Sequence, residues 1–319
     1  MTDQLSRVAV ASRSFSRHPE LRRRLLERHA RVTFNDAGES LSGERLIAFL
    51  QGHDMAITAL EVLDERVFAA LPELKVVGKY GVGLDMIDLQ AMARHGVRLG
   101  WTGGVNRRAV SELVIAFAIA LLRHVPACNA MVREGGWRQV QGRQLSGRTV
   151  GIVGCGHVGK DLSLLLKAFG ATILAHDLLD FPDFYRAHGI RPVGLEPLLR
   201  ESEIVTLHLP LDATTRGILS AERLTLMRPD AILINAARGG LVDEPALKTM
   251  LQDGRLAGAA FDVFATEPPE DSGLLSLPNF LATPHIGGSS QEAVLAMGMA
   301  AIAGLENHDD PLRVGVHGA

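Results

Sequence analysis

The segment Thr149 to Gly170 (TVGIVGCGHVGKDLSLLLKAFG) restricts the possible folds of this chain more than any other. A short apolar strand pattern (Val150, Ile152, Val153) runs straight into Gly154-Cys155-Gly156-His157-Val158-Gly159, and helical periodicity follows at once. This is the G-x-G-x-x-G pattern in the strand–helix setting that gives it meaning. Gly154 permits the tight turn, Gly156 lets a pyrophosphate approach the backbone, and Gly159 lets the helix pack closely on the strand. The first turn of the helix then offers unpaired N–H groups and the positive end of its dipole to the phosphates.

The next element extends this reading. Ala171 to His176 has a strand pattern ending on Asp177, close to the spacing of about 20 residues at which an acid meets the adenosine ribose. Its carboxylate would accept from both ribose hydroxyls and repel a 2′-phosphate. Leu178, Leu179 and Asp180 supply no cation to offset that repulsion. NAD is therefore expected, with NADP disfavoured by Asp177.

A chain of 319 residues with 47% hydrophobic content predicts two cores rather than one. The net charge of −3 carries no long run of one sign, so neither nucleic acid nor an anionic membrane is expected as a partner. The cysteines, Cys128 and Cys155, have no metal or disulfide spacing; no metal is expected, and a reducing compartment fits. The N-terminal residues lack the apolar stretch of a signal peptide, and the apolar run Leu113–Leu122 is too short to span a bilayer. The expectation is a soluble cytoplasmic protein.

Along the first hundred residues strand and helix patterns alternate: strands at 7–11, 32–34, 56–60, 76–79 and 97–100, with helices between. Residues 106–134 read as one long helix with apolar positions around much of its girth, as expected of a helix buried between domains or subunits. A second alternating series gives strands at 149–153, 171–176, 204–209, 231–236, 258–263 and 280–283. Helices are expected at 157–169, 195–201, 220–227, 243–253 and 289–306. The residues after Asn307 read as a loose tail. The fold class is α/β: two Rossmann-like, doubly wound parallel-sheet domains with an interdomain cleft.

Three segments at predicted strand ends carry chemistry: NAARGGLVDE (235–244), FDVFATEP (261–268) and TPHIGG (283–288). In an open α/β sheet the carboxyl ends of strands form the ligand crevice. Arg238 offers a planar fork of donors to a carboxylate or a polarised carbonyl. His285 is the natural proton donor, because imidazole titrates near neutral pH. Glu267 would hold its ring in orientation.

Together these segments resemble the D-isomer-specific 2-hydroxyacid dehydrogenases, a group that includes phosphoglycerate, glycerate, hydroxypyruvate/glyoxylate and D-lactate dehydrogenases. The resemblance rests on GIVGCGHVGK, NAARGGLVDE, FDVFATEP and TPHIGG in the family's order and spacing. It implies an NAD-dependent oxidoreductase acting on CH–OH groups, with Arg238 as substrate-binding arginine and Glu267 and His285 as acid–base pair. On the cofactor side it implies Gly154, Gly156, His157, Val158 and Gly159 at the pyrophosphate and Asp177 at the ribose. Leu209, Pro210 and Thr215 would lie along the adenosine half. Ala236, Ala237, Arg238, Asp262, His285 and Gly287 would lie toward the nicotinamide. Substrate would meet Tyr80, Gly81, Val82 and Gly83, whose N–H groups bind its carboxylate, together with Asn106, Arg238 and His285.

The implied domains are 1–102 plus 286–319, a discontinuous flavodoxin-like substrate domain, and 103–285, the NAD-binding Rossmann domain. A homodimer through residues 106–134 is implied as well. Two alternatives stay open: an NAD-sensing, non-catalytic protein like the corepressors that share the fold, and phosphoglycerate dehydrogenase proper. Thr58 stands where phosphoglycerate dehydrogenases place a cation, which weighs against a phosphorylated substrate, although Lys79 lies nearby. Arg107 and Arg108 could face an acidic substrate or solvent. The similar formate dehydrogenases carry Gln where Glu267 stands, and Glu267 favours keto-acid reduction.

Overall fold

The computed structural model describes residues 6–314. In chain order the first elements are β1 (Arg7–Val10), α1 (Arg13–Arg17), α2 (Pro19–Leu26), β2 (Arg31–Phe34), α3 (Gly43–Leu50), β3 (Met55–Thr58), α4 (Glu65–Ala70), β4 (Val76–Lys79), α5 (Leu89–Arg94) and β5 (Arg98–Gly100). There follow α6 (Arg107–Leu122), α7 (Val125–Arg133), β6 (Thr149–Val153), α8 (His157–Ala168), β7 (Thr172–His176), α9 (Pro182–His188), β8 (Arg191–Pro192) and α10 (Leu195–Glu201). The chain continues through β9 (Ile204–Leu207), α11 (Ala221–Leu224), β10 (Ile232–Asn235), α12 (Glu244–Gln252), β11 (Gly258–Phe261), α13 (Ser272–Leu275), β12 (Phe280–Ala282) and α14 (Gln291–Gly304). Two compact units result, one of residues 1–106 and 289–319, the other of residues 107–288.

In the second unit a seven-stranded, wholly parallel sheet has the order β12-β11-β10-β9-β6-β7-β8. Strand alternation sends Val205, Leu207, Leu233 and Phe261 to one face and Ile204, Ile232, Ile234 and Ala260 to the other. Both faces are thus buried, as a parallel sheet requires. α6 spends Val114, Phe117, Ala118 and Leu122 on the second of those faces. Each fully buried Leu, Ile or Phe there contributes roughly 1.5–3 kcal/mol.

The first unit holds a five-stranded parallel sheet of order β2-β1-β3-β4-β5. Val8, Val10, Ile57 and Val76 meet α14 through Ala301, Ile302 and Leu305 on one face, while Ala9, Ala56 and Val77 line the other. α14 presses its backbone onto the sheet. A Cβ at Gly78 would stand 2.4 Å from the Ala301 carbonyl oxygen, and one at Gly100 would stand 2.0 Å from that of Gly304.

The structure departs from the sequence reading in identifiable places. The long helix expected over 106–134 is two helices, α6 and α7, bent by 62°. His124 takes φ 54 between them, and Pro126 lies in the first turn of the second. Four further elements, α1, α9, α13 and the two-residue β8, lie outside that reading. Residues 308–314 are not a loose tail: the Leu99 and Asp309 backbones exchange hydrogen bonds of 3.0 Å, and Val314 packs on the core beneath. The remainder of the expected tail, 315–319, lies outside the described residues. No single helix among the described residues is long and apolar enough to cross a membrane.

The contact between β5 and α14 leaves no room for a methyl group. Gly100→Ala should destabilise the protein by about 3 kcal/mol. Gly194→Ala, whose Cβ would meet only Pro197 at 3.6 Å, should cost under about 1 kcal/mol. Urea unfolding followed by circular dichroism separates the two, and equal midpoints would show that the sheet and helix can move apart.

Candidate active site

The glycine loop follows β6. The Gly154 N–H donates to the His176 carbonyl at 2.8 Å, binding the loop to the end of β7. Its three glycines serve different ends. A Cβ at Gly154 would stand 2.6 Å from the His208 carbonyl oxygen, and Gly154 also takes φ +97. A Cβ at Gly159 would stand 2.2 Å from the Gly154 carbonyl oxygen. At Gly156 a Cβ would meet nothing within 4 Å. Packing therefore explains Gly154 and Gly159, while the bareness of Gly156 serves a group that comes from outside. Such a group would approach the N-terminus of α8, whose first residues are His157 and Val158. The site fits a dinucleotide on this observation.

Asp177 ends β7 and closes on the loop. One carboxylate oxygen accepts from the Cys155 N–H at 2.5 Å and the other from the Leu179 N–H at 2.9 Å. Each oxygen keeps acceptor capacity for a ribose hydroxyl. Cys155 is fully buried, and burial pushes its thiol up to about 11, which removes it from nucleophilic chemistry. After β9, the Thr215 hydroxyl donates to the Pro210 carbonyl at 2.8 Å and accepts from the Asp212 N–H at 2.9 Å. Thr215 is buried and braces the 210–215 loop, while Leu209 packs beside Gly154.

The chemistry-bearing loops follow β10, β11 and β12. Asn235 frames the first: its amide donates to the Arg238 carbonyl at 2.8 Å and accepts from the Ala237 N–H at 3.2 Å. The Arg238 guanidinium reaches the Ala237 carbonyl at 2.6 Å. Ala236 is half-buried on the sheet and Ala237 buried. At Gly239 a Cβ would stand 1.8 Å from the Phe264 carbonyl oxygen. The loop carrying Arg238 and the loop carrying Glu267 thus touch backbone to backbone. Glu244 strengthens the contact by accepting from the Ala265 N–H at 2.8 Å.

His285 Nδ1 lies 2.9 Å from Glu267 Oε2, and Glu267 Oε1 accepts from the Phe264 N–H at 3.1 Å. Both side chains remain substantially exposed. A carboxylate facing Nδ1 assigns the hydrogen there and leaves Nε2 outward. His285 adopts φ 56, a left-handed conformation that costs a non-glycine residue about 1 kcal/mol or more. Asp262 holds it there. Its buried carboxylate accepts from the Thr283 hydroxyl at 2.5 Å, the Ile286 N–H at 2.7 Å and the Gly287 N–H at 2.7 Å, and its carbonyl accepts the His285 N–H at 2.9 Å. Asn235, Gly239, Glu244 and Thr283 stand in the motifs quoted above, yet their roles depend on partners from other segments.

Contacts within single units describe three further residues of the sequence reading. Arg108, its side chain still more than half exposed, forms a two-pronged pair with Asp161 at 2.8 and 2.9 Å; that pair holds the Asp161 carboxyl below its ordinary range. Tyr80 packs in the core edge-on to Phe15, their ring centroids 5.5 Å apart. The buried Lys79 ammonium donates to the Ala59 carbonyl at 2.5 Å. Beyond Tyr80, Gly81 takes φ +122 and the Val82 carbonyl accepts from the Trp101 indole at 2.9 Å; Gly83 follows, and Asn106 closes the unit.

Comparison with known proteins adds the following. Residues 115–287 match the family model of the D-isomer specific 2-hydroxyacid dehydrogenase NAD binding domain. Over 253 residues the chain is 37% identical to the D-3-phosphoglycerate dehydrogenase of Mycobacterium bovis, covering 78% of this chain and 48% of that protein. The chain thus spans about half the length of the curated relatives it matches. A structure from a Polaromonas species, described as a D-isomer specific 2-hydroxyacid dehydrogenase, superposes with a TM-score of 0.86 at 28% identity, covering 95% of this chain and 96% of that one. A glyoxylate reductase from Paecilomyes thermophila gives 0.85 at 25% identity, covering 95% of each chain.

His208 directly follows β9 and bears on the stability of the protein at low pH. Its Nε2 pairs with the Thr206 hydroxyl at 3.0 Å, and burial pushes its pKa from 6.5 down to about 3. The folded protein keeps this ring neutral, whereas the unfolded chain protonates it near 6.5. Its contribution to stability is present above 6.5 and is lost as pH falls toward 3, by up to about 1.4 kcal/mol per pH unit. Between pH 7 and 5, His208→Gln should lose about 2 kcal/mol less than the parent in urea unfolding. Parallel losses would mean that the ring protonates in the folded state.

Proposed function

Because this chain belongs to the D-isomer specific 2-hydroxyacid dehydrogenase family, we propose that it is an NAD-dependent oxidoreductase interconverting a small 2-hydroxy acid and its 2-keto acid. The observation that carries the reading is the His285–Glu267 pair at 2.9 Å, held at the end of the sheet that bears the glycine loop. When bound, NAD supplies the hydride acceptor, and NADH the donor, at C2 of the substrate.

The chain's own groups do the rest. The N–H groups at the start of α8 hold the pyrophosphate, Asp177 the ribose, and Leu209 and Pro210 flank the adenosine half. Ala236, Ala237, Asp262 and Gly287 shape the nicotinamide end. Arg238 offers its fork to the substrate carboxylate and carbonyl oxygen, and the N–H groups of residues 81–83 receive the carboxylate. In the reducing direction His285 delivers a proton from Nε2 to the carbonyl oxygen as that oxygen gains charge; in the oxidising direction it takes the proton back. Glu267 fixes the ring through Nδ1 and stabilises the imidazolium that exists before donation.

The reading extends to a cytoplasmic homodimer joined through residues 106–134. Val125 and Val132 are each about half exposed there, and light scattering at micromolar protein tests the assembly.

NADH oxidation measured across glyoxylate, hydroxypyruvate, pyruvate and 3-phosphohydroxypyruvate should reveal turnover with at least one. His285→Gln should then lower kcat by about 100-fold or more while NADH still binds. Silence across the whole panel, or undiminished kcat in the variant, would refute the assignment. Asp177→Ala should narrow the NADH-over-NADPH preference by at least about tenfold; an unchanged ratio would remove Asp177 from ribose recognition.

A further inference from the structure

The first unit contains a cavity that the chemistry above does not use. Its strand order, β2-β1-β3-β4-β5, winds outward one way from β1 through β2 and the other way from β3 through β5. In such sheets the crevice for ligands opens at the carboxyl ends of the strands, at the point where winding reverses. That point lies between β1 and β3. A cavity of about 420 Å³ stands there, lined by residues 12–14 and Arg17 after β1, by Ser40 and Leu41 after β2, and by residues 59–61 after β3. Its size falls in the range of small-molecule sites.

Its chemistry is cationic and hydroxyl-rich. Arg13 and Arg17 line it, with Ser12, Ser14 and Ser40. Neither arginine forms an ion pair among the described residues. On the neighbouring α2, by contrast, Arg22 holds Asp36, while Arg23 and Arg24 hold Glu20. The Arg17 guanidinium is seated against Gly38, where a Cβ would stand 2.2 Å from Nη2. The acid in the lining, Glu61, accepts from the Ala59 N–H at 2.6 Å. The lining also adjoins the β4 end within the same unit, where the Ala59 carbonyl receives the Lys79 ammonium.

We infer that this cavity is an oxoanion subsite in which Arg13 and Arg17, with the serine hydroxyls, bind a phosphate or carboxylate group. Arginine forks match the paired oxygens of such groups. The subsite supplies from β1 and α1 the positive charge that Thr58 fails to supply at the end of β3. Its occupant is either the far anion of a dianionic 2-keto acid, which rests on the dehydrogenase reading, or a free oxoanion, which does not.

The test uses Arg13→Gln and Arg17→Gln, both at exposed positions, with Arg31→Gln at the opposite end of the sheet as charge-matched control. Inorganic phosphate is titrated with each protein and its phosphorus-31 line width recorded. The parent and Arg31→Gln should broaden the line, and the two cavity variants should lose most of that broadening. Absent broadening in the parent, or equal broadening in all four proteins, overturns the subsite whatever the enzyme does. Where NADH oxidation occurs, the ratio of KM for 3-phosphohydroxypyruvate to KM for hydroxypyruvate should rise at least tenfold in Arg17→Gln if the substrate's far anion is the occupant. An unchanged ratio together with lost phosphate broadening assigns the subsite to a free oxoanion.

Discussion

The buried carboxylate of Asp262 is the interaction on which the rest of the second unit's chemistry depends. A charged group so enclosed would be prohibitive without partners. Here Thr283, Ile286 and Gly287 supply three donors from one short loop. Hydrogen bonds to a charged group contribute about 1.5–3 kcal/mol each, enough together to hold His285 at its left-handed φ. The histidine is therefore positioned from behind by an acid it does not share a proton with, and steered from the side by Glu267. Because both bonds come from β11 and the loop after it, orientation and position of the imidazole are fixed by one strand end.

The loops are brought together by missing side chains as much as by side chains that are present. Gly239 lies under the Phe264 carbonyl, Gly159 under that of Gly154, and Gly154 against that of His208. Each contact closes a gap that a methyl group would hold open. Gly156 is the exception, since nothing in the protein needs its bareness. Its open side at the N-terminus of α8 is where the pyrophosphate of NAD would approach.

Local patterns made much of this legible. The two parallel sheets follow from strand and helix alternation, and the glycine loop, Glu267 and His285 were readable from short motifs. What was hidden depended on partners distant in sequence. Asp262 reads as the end of a strand until Thr283 and Gly287 are seen to surround it. The partner of Arg108, Asp161, lies 53 positions away in sequence. The break at His124 was masked because proline is tolerated in the first turn of a helix, so apolar periodicity ran through Pro126 unbroken. β8 has two residues, too few to display a period.

The same rule of winding accounts for both ligand-binding ends proposed here, each within its own unit. In the seven-stranded sheet the chain leaves β6 toward β7 and β8, then returns to start again at β9. Loops on either side of that reversal diverge, and the glycine turn occupies the opening. In the five-stranded sheet the reversal lies between β1 and β3, and two arginines without carboxylate partners flank the opening. One crevice meets its anion with backbone N–H groups and a helix dipole, a device that needs no side chain and tolerates none at Gly156. The other meets it with guanidinium groups on a helix of five residues, too short to provide a dipole of consequence.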